Sequence, residues 1–136
     1  MVFLGMTPIK WASTRQGAIE SSTYGAEFIA GQAVTEEIKA LWYTLRSFGV
    51  PVTKALFMYG DNLGMLQSCT IPDGTLKKKH CAISYHICRE AVAAGIIAPR
   101  KVATSINRSD ACTKSLTAGT LYNLLDPLWY RPGQGR

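Results

Sequence analysis

Acidic residues are scarce in this chain. Nine Asp and Glu stand against 15 Lys and Arg in 136 residues, a formal net charge of +6. Such an excess points to a polyanionic partner, nucleic acid before a membrane surface, with a solvated basic surface that serves solubility as the plainer alternative. Histidine is limited to two residues, His80 and His86. The four cysteines, Cys69, Cys81, Cys88 and Cys112, form no CxxC pair. A zinc ribbon is therefore not expected. Cys81 and Cys88 are spaced to share one face of a helix, near both histidines. That leaves a metal site open, but buried free thiols in an intracellular, reducing compartment fit better. No apolar run approaches the ~18 residues of a membrane span. The start, MVFLGMTPIKW, has no basic region ahead of its apolar residues and no clear cleavage site, so a signal peptide is not expected. Internal repeats and low-complexity segments are absent too. The sequon Asn107-Arg108-Ser109 has meaning only in a secreted chain.

What is present reads as one domain over residues 1–130, with a hydrophobic share of 47% and a basic tail at 131–136 rich in Pro, Gly and Arg. Val2-Phe3-Leu4 before Gly5 predicts a short strand. Pro8 to Ser13 predicts another, with Ile9 and Trp11 on one face, and Ala18 to Ser21 a third. A long helix is expected from Thr23 to Ser47, with Ser21, Ser22 or Thr23 as cap and Val34, Ile38, Leu41, Trp42 and Leu45 at helical spacing. Gly49 and Pro51 end it. Ala55 to Tyr59 is an apolar run of buried-strand type. A short helix is expected over Asp61 to Ser68, broken by Pro72-Asp73-Gly74. A second long helix follows over Leu76 to Ala94, with Ile83, Ile87 and Ala91 on one side. Ile96 to Ile106 is expected to be extended. Asp110 takes the cap position of a helix running to Leu125. The layout is mixed α/β rather than alternating and doubly wound.

With so few carboxylates, position is informative. Glu27 falls in the expected first turn of the long helix, Asp61 just past a buried strand, and Asp110 at a helix start after an extended segment. Open α/β sheets collect their chemistry at such strand ends and helix starts. Converging carboxylates suit Mg²⁺ or Mn²⁺, and a pair of such ions can drive phosphodiester cleavage. The structural alternatives are equally concrete: Glu27 and Asp110 could complement helix dipoles, and Asp61 could serve a turn. Lys77, Lys78 and Lys79 form the only dense basic run, either a phosphate-binding patch or a solvated helix start.

Several blocks in order resemble the ribonuclease H domain of copia-type retrotransposon polyproteins. Ser21-Ser22-Thr23-Tyr24-Gly25-Ala26-Glu27-Phe28 is similar to that family's "SSTEAEY" or "STYGSEF". It follows Pro8-Ile9, Trp11 and Arg15-Gln16, which are similar to its "PI-W-S-K-(K/R)-Q" strand. Leu45-Arg46, then Phe48-Gly49-Val50-Pro51, resembles "LRxLGVP", departing only at Phe48. Met58-Tyr59-Gly60-Asp61-Asn62 resembles "MFGDN". The stretch from Leu76 through His80, Ala82, Ser84, His86 and Arg89-Glu90-Ala91 to Ala94 resembles "LHKRHxALSFHxVREAxAA". Asn107-Arg108-Ser109-Asp110-Ala111-Cys112-Thr113-Lys114 resembles "NPADILSK". Order and spacing hold from about residue 7 to residue 120.

The resemblance implies a ribonuclease H-like fold, a mixed five-stranded sheet flanked by helices. It implies metal-dependent cleavage of the RNA strand of an RNA–DNA hybrid. Glu27, Asp61 and Asp110 match three of the family's metal-binding carboxylates, and Lys77 to Lys79 would lie near the hybrid backbone. His80 and His86 match the pattern without an assigned role. The family's first strand and its catalytic aspartate fall ahead of Met1 in register, and no acidic residue precedes Glu20. A site short of one carboxylate would hold its ions weakly, and the sheet would expose an edge for a covering partner. The alternative function is therefore a catalytically inactive, repurposed structural subunit or a nucleic-acid-binding module in a larger assembly. The Arg131-to-Arg136 tail fits that alternative as well.

Overall fold

The computed structural model describes residues 1–13, 23–72 and 81–129. The protein is mixed α/β, built of helices and small sheets and compatible with a ribonuclease H-like fold. It divides into two compact units: Gln16–Val102, and Met1–Arg15 together with Ala103–Arg136.

The larger unit is organised by α1 (Thr23–Ser47). Its buried stripe runs Phe28, Gly31, Thr35 and Ile38, with Val34 and Trp42 packed alongside. That is the three-and-four spacing a 3.6-residue helix requires. The stripe starts further toward the N-terminus than the apolar pattern from Val34 suggests, at Phe28, and it includes the polar residue Thr35. Its hydroxyl meets the sulfurs of Cys88 at 3.6 Å and Met58 at 3.9 Å, so its burial leaves no orphaned polar atom. Helix α1 ends as expected. Gly49 sits at φ 77°, its N–H donates to the Arg46 carbonyl at 2.9 Å, and the Val50 N–H donates to the Leu45 carbonyl at 2.9 Å. Those two bonds make a Schellman cap, which needs a left-handed residue, and glycine adopts that shape without a Cβ clash.

The strand β3 (Leu56–Gly60) follows, then α2 (Leu63–Thr70), α3 (Ala82–Ala93) and β4 (Ile97–Lys101). Strands β3 and β4 pair in parallel, from Leu56 opposite Ile97 to Gly60 opposite Lys101. A parallel pair needs a long crossover connection, and α2 and α3 lie within it. Met58 and Ile97 face the core with Phe28, Met65, Leu66, Cys69, Tyr85, Cys88 and Ala91. Gly95 repeats the glycine cap at the end of α3: φ is 67°, with Gly95 N–H to Val92 and Ile96 N–H to Ala91, both 3.0 Å.

Three expectations are corrected here. Ile83 is 74% exposed. The buried face of α3 is Ser84, Tyr85, Cys88 and Ala91, rotated from the Ile83, Ile87, Ala91 line. The rotation is possible because the Ser84 hydroxyl donates to Gln32 Oε1 at 2.7 Å, which lets a polar residue occupy an interior position. The extended segment from Ile96 stops at Lys101, and Thr104–Ile106 is a 3-10 turn. The Val102 N–H still reaches the Gly60 carbonyl at 3.0 Å. Strand β3 ends at Gly60, so no partner remains to extend the ladder. The third correction concerns the helix at Asp110 and belongs to the smaller unit.

In that unit β1 (Val2–Leu4) and β2 (Thr7–Lys10) form an antiparallel hairpin through Gly5. Ile9 and Trp11 both stay exposed. Rather than one helix from Asp110 to Leu125, there are two: α4 (Asp110–Thr113) and α5 (Ala118–Leu125). Thr117 caps α5, its side-chain oxygen accepting from the Thr120 N–H at 3.4 Å and bonding the Thr120 hydroxyl at 2.9 Å. Ser and Thr offer the backbone local alternatives to the helix, and the run Thr113 to Thr117 takes one of them. The family's five-stranded sheet is represented, among the described residues, by two separate two-stranded ladders. The expected strand over Ala18 to Ser21, the cap candidates Ser21 and Ser22, Glu20, the start of the second long helix at Leu76 and the tail 131–136 lie outside the described residues.

Candidate functional site

Asp61 directly follows β3, half-buried. Its neighbour Asn62 is the cap of α2, its side-chain oxygen accepting from the Met65 N–H at 3.1 Å. One of the four unpaired N–H groups at that helix start is thereby satisfied. The capping work next to Asp61 thus falls to Asn62. Replacing Asn62 by alanine is expected to lower stability by about 1 kcal/mol, read as a shift of the urea midpoint. An unchanged midpoint would show that another group caps α2.

Glu27 is half-buried on α1, next to the fully buried Phe28. The first turn of α1 contains no acidic residue. Glu27 was expected there; the helix starts at Thr23 as expected, which puts Glu27 in the second turn. A helix dipole acts over its terminal turn, which weakens the dipole account of this residue. Glu27 and Asp61 belong to the same unit, Glu27 on α1 and Asp61 directly after β3, two elements that pack together.

Asp110 belongs to the smaller unit. It is the first residue of α4, after the cap residue Ser109, and only 6% exposed. Both of its oxygens are engaged. Oδ2 accepts from Lys114 Nζ at 2.7 Å and Oδ1 from Asn107 Nδ2 at 3.1 Å. Asn107 in turn accepts the Ser109 N–H at 3.3 Å. A buried carboxylate requires such partners, since an unpaired charge out of water is costly.

As donors, three carboxylates fit a hard divalent cation. Glu27 and Asp61 lie in one unit and Asp110 in the other, and among the described residues no three His, Cys, Asp or Glu side chains gather into a group that could hold a metal ion. Lys77, Lys78, Lys79 and His80 lie outside the described residues, and His86 is exposed.

The cysteines are free, three of them buried and Cys112 half-buried. Cys81 and Cys88 share the core side of α3, as their spacing predicts. A hydrogen bond to Cys88, reinforced by burial, pushes the Cys69 thiol above the ordinary thiol range. Cys69 is packed in the core cluster, and a raised thiol disfavours the thiolate that a nucleophile needs.

Sequence reasoning did not single out Arg89. It lies on α3, and its guanidinium donates to the carbonyls of Ser68, Ile71 and Pro72 at the end of α2 and to the Tyr85 hydroxyl. The only available signal was its place in a motif. Nothing in local spacing announces a clamp across 17 to 21 residues.

These features define a mixed α/β protein with a half-buried aspartate at the end of a parallel strand and a second carboxylate on the helix beside it. No family model matches the chain. No solved structure matches it. Over 123 residues, 90% of the chain, it is 30% identical to the Retrovirus-related Pol polyprotein from transposon RE1 of Arabidopsis thaliana. It is 28% identical, over the same share, to the Retrovirus-related Pol polyprotein from transposon RE2 of the same plant. The chain spans 8% of the length of each. This likeness supports a retroelement-derived domain. No helix among the described residues is long and apolar enough to cross a membrane.

Proposed function

We propose that the chain is a ribonuclease H-like domain of retroelement origin whose ligand is an RNA–DNA hybrid and whose reaction is cleavage of the RNA strand. The observation that carries this reading is Asp61. It stands at the end of β3, within the block that resembles the family's catalytic one, in a chain similar to transposon Pol polyproteins over 90% of its length. Glu27, Asp61 and Asp110 are the carboxylates that would hold Mg²⁺ or Mn²⁺. Bound there, the ion would act as a Lewis acid on the scissile phosphate. Lys77, Lys78 and Lys79 supply charge for the hybrid backbone, where contacts position without reading sequence.

The test is cleavage of a labelled hybrid with Mg²⁺ or Mn²⁺. Asp61→Asn, close in shape to the parent, is expected to cut the rate by about two orders of magnitude or more, the scale on which one electrostatic group in a catalytic site acts. Equal rates for parent and variant would remove Asp61 from the reaction.

One observation favours a second reading, a nucleic-acid-binding or structural subunit without cleavage. Asp110 has both oxygens engaged by Lys114 and Asn107, so ligating a cation would require that ion pair to open. A folded chain that binds hybrid with either metal present and never cuts it would establish the second reading. A protein partner covering the edge left by the missing strand would then be the next object to seek.

A further inference from the structure

Glu27 and Asp61 stand on different elements, so their spacing is fixed by how α1 packs on the segment around Asp61. Along α1, contacts with α2 bracket Glu27. About one turn before it, the Tyr24 hydroxyl bonds the Ser68 hydroxyl at 2.9 Å. About one turn after it, Gly31 leaves room that Met65 Cε fills, and a Cβ there would collide with that methyl. Residues three and four apart on a helix are neighbours on one face. Glu27 therefore lies on the side of α1 that meets α2, and Asp61 directly precedes the cap of α2.

Tyr24 reaches further than its hydrogen bond. Its ring lies against the first turn of α2: a Cβ on Gly64 would stand 3.8 and 3.9 Å from two of its carbons, and 3.4 Å from the Asn62 oxygen that caps the helix. The ring also meets the buried Phe28 edge-on at 5.0 Å. One side chain thus ties the turn of α1 that carries Glu27 to two points on α2, the first beside Asp61 and the second at Ser68. Apolar packing alone lets a helix slide by a fraction of an ångström. A hydrogen bond is directional and sets the register. Groups that ligate or react need that precision, because a shift of about 1 Å is costly.

We propose that Tyr24 is a positioning residue: its ring and its bond to Ser68 set the spacing at which Glu27 and Asp61 share one divalent cation. This deepens the hybrid-cleaving reading above and rests on it, since Glu27 and Asp61 are taken as cation ligands. Tyr24 acts only through them.

The experiment is a Mn²⁺ titration of the full chain without nucleic acid, free Mn²⁺ being read by electron paramagnetic resonance, alongside hybrid cleavage across a Mn²⁺ series. The parent is expected to bind, and Asp61→Asn to lose that binding. Tyr24→Phe keeps the ring and is expected to bind Mn²⁺ about tenfold more weakly, the usual effect of losing a group that orients a metal ligand. The Mn²⁺ needed for half-maximal cleavage should rise by the same factor, with KM for hybrid unchanged. Ser68→Ala should match it, and the double variant should be no worse than either single, because all three lose one bond. Ile38→Val thins the core at a buried position further along α1 and should leave Mn²⁺ affinity unchanged. Should Tyr24→Phe fail to fold by circular dichroism, Ser68→Ala removes the same bond from the α2 side. Equal Mn²⁺ affinity in the parent, Tyr24→Phe and Ser68→Ala overturns the positioning role and leaves the carboxylate reading standing. Equal weakening in Ile38→Val reduces Tyr24 to packing and overturns it too. A parent that binds no Mn²⁺, or one whose binding survives Asp61→Asn, overturns the carboxylate reading and the positioning role with it.

Discussion

Phe28→Ala is expected to destabilise the protein by about 3–5 kcal/mol, the usual cost of truncating a fully buried aromatic. Phe28 has no exposed surface. Its ring meets Tyr24 edge-on at 5.0 Å and Tyr85 at 5.6 Å. Each such pair adds about 0.5–1.5 kcal/mol beyond area burial. The ring therefore joins the start of α1 to α3. Domains of this kind hold only about 5–15 kcal/mol in total, so the variant should lose much of its urea midpoint. Phe28→Leu should fall between the two, because it keeps apolar volume but not the ring-to-ring geometry. A midpoint for Phe28→Ala close to that of the parent would mean that Phe28 is not central to the core.

The second large effect is expected at Arg89. Its guanidinium donates to Ser68 O at 2.9 Å, Ile71 O at 2.8 Å, Pro72 O and the Tyr85 hydroxyl at 3.0 Å. It also lies over the Tyr85 ring, 5.2 Å from its centre. The last carbonyls of a helix have no partner within it, and a cation there also opposes the negative end of the helix dipole. Charge-assisted hydrogen bonds are worth about 1.5–3 kcal/mol each and do not add fully, so Arg89→Ala should cost about 2–4 kcal/mol. Arg89→Lys should recover only part of this, since an ammonium cannot span three carbonyls as a planar fork does. Hydrogen exchange gives the decisive readout. In Arg89→Ala, amides at the end of α2 should lose protection before those of α1. Uniform loss across the unit would reduce Arg89 to ordinary packing.

The local elements were legible because their signals are local. Thr23 to Ser47 forms the helix its periodicity predicts, and Gly49 ends it because a left-handed residue must stand there. The strand before Asp61 and the short helix after it are likewise found, shifted by one or two residues. Where sequence reading erred, a long-range partner decided. Ile83 lost its interior place to Ser84, whose hydroxyl is satisfied by Gln32 on α1. The segment after Lys101 left the extended state where its neighbour β3 ran out. At Asp110 the expected helix broke at a competing cap, Thr117, whose hydroxyl was visible in the sequence but whose precedence over the helix was not.

The candidate site divides in the same way. Sequence alone identified Asp61 at a strand end and Glu27 on the helix, since chain order and residue type are enough to place a side chain on an element. It also determined the +6 charge and the ordered blocks that resemble a retroelement domain. Only the tertiary structure assigned the cap of α2 to Asn62, engaged Asp110 with Lys114 and Asn107, drew Arg89 onto the end of α2, and bonded Tyr24 to Ser68. Those outcomes depend on which groups meet across the fold, where burial demands a partner for every polar atom. Patterns of three to four residues hold no record of such meetings.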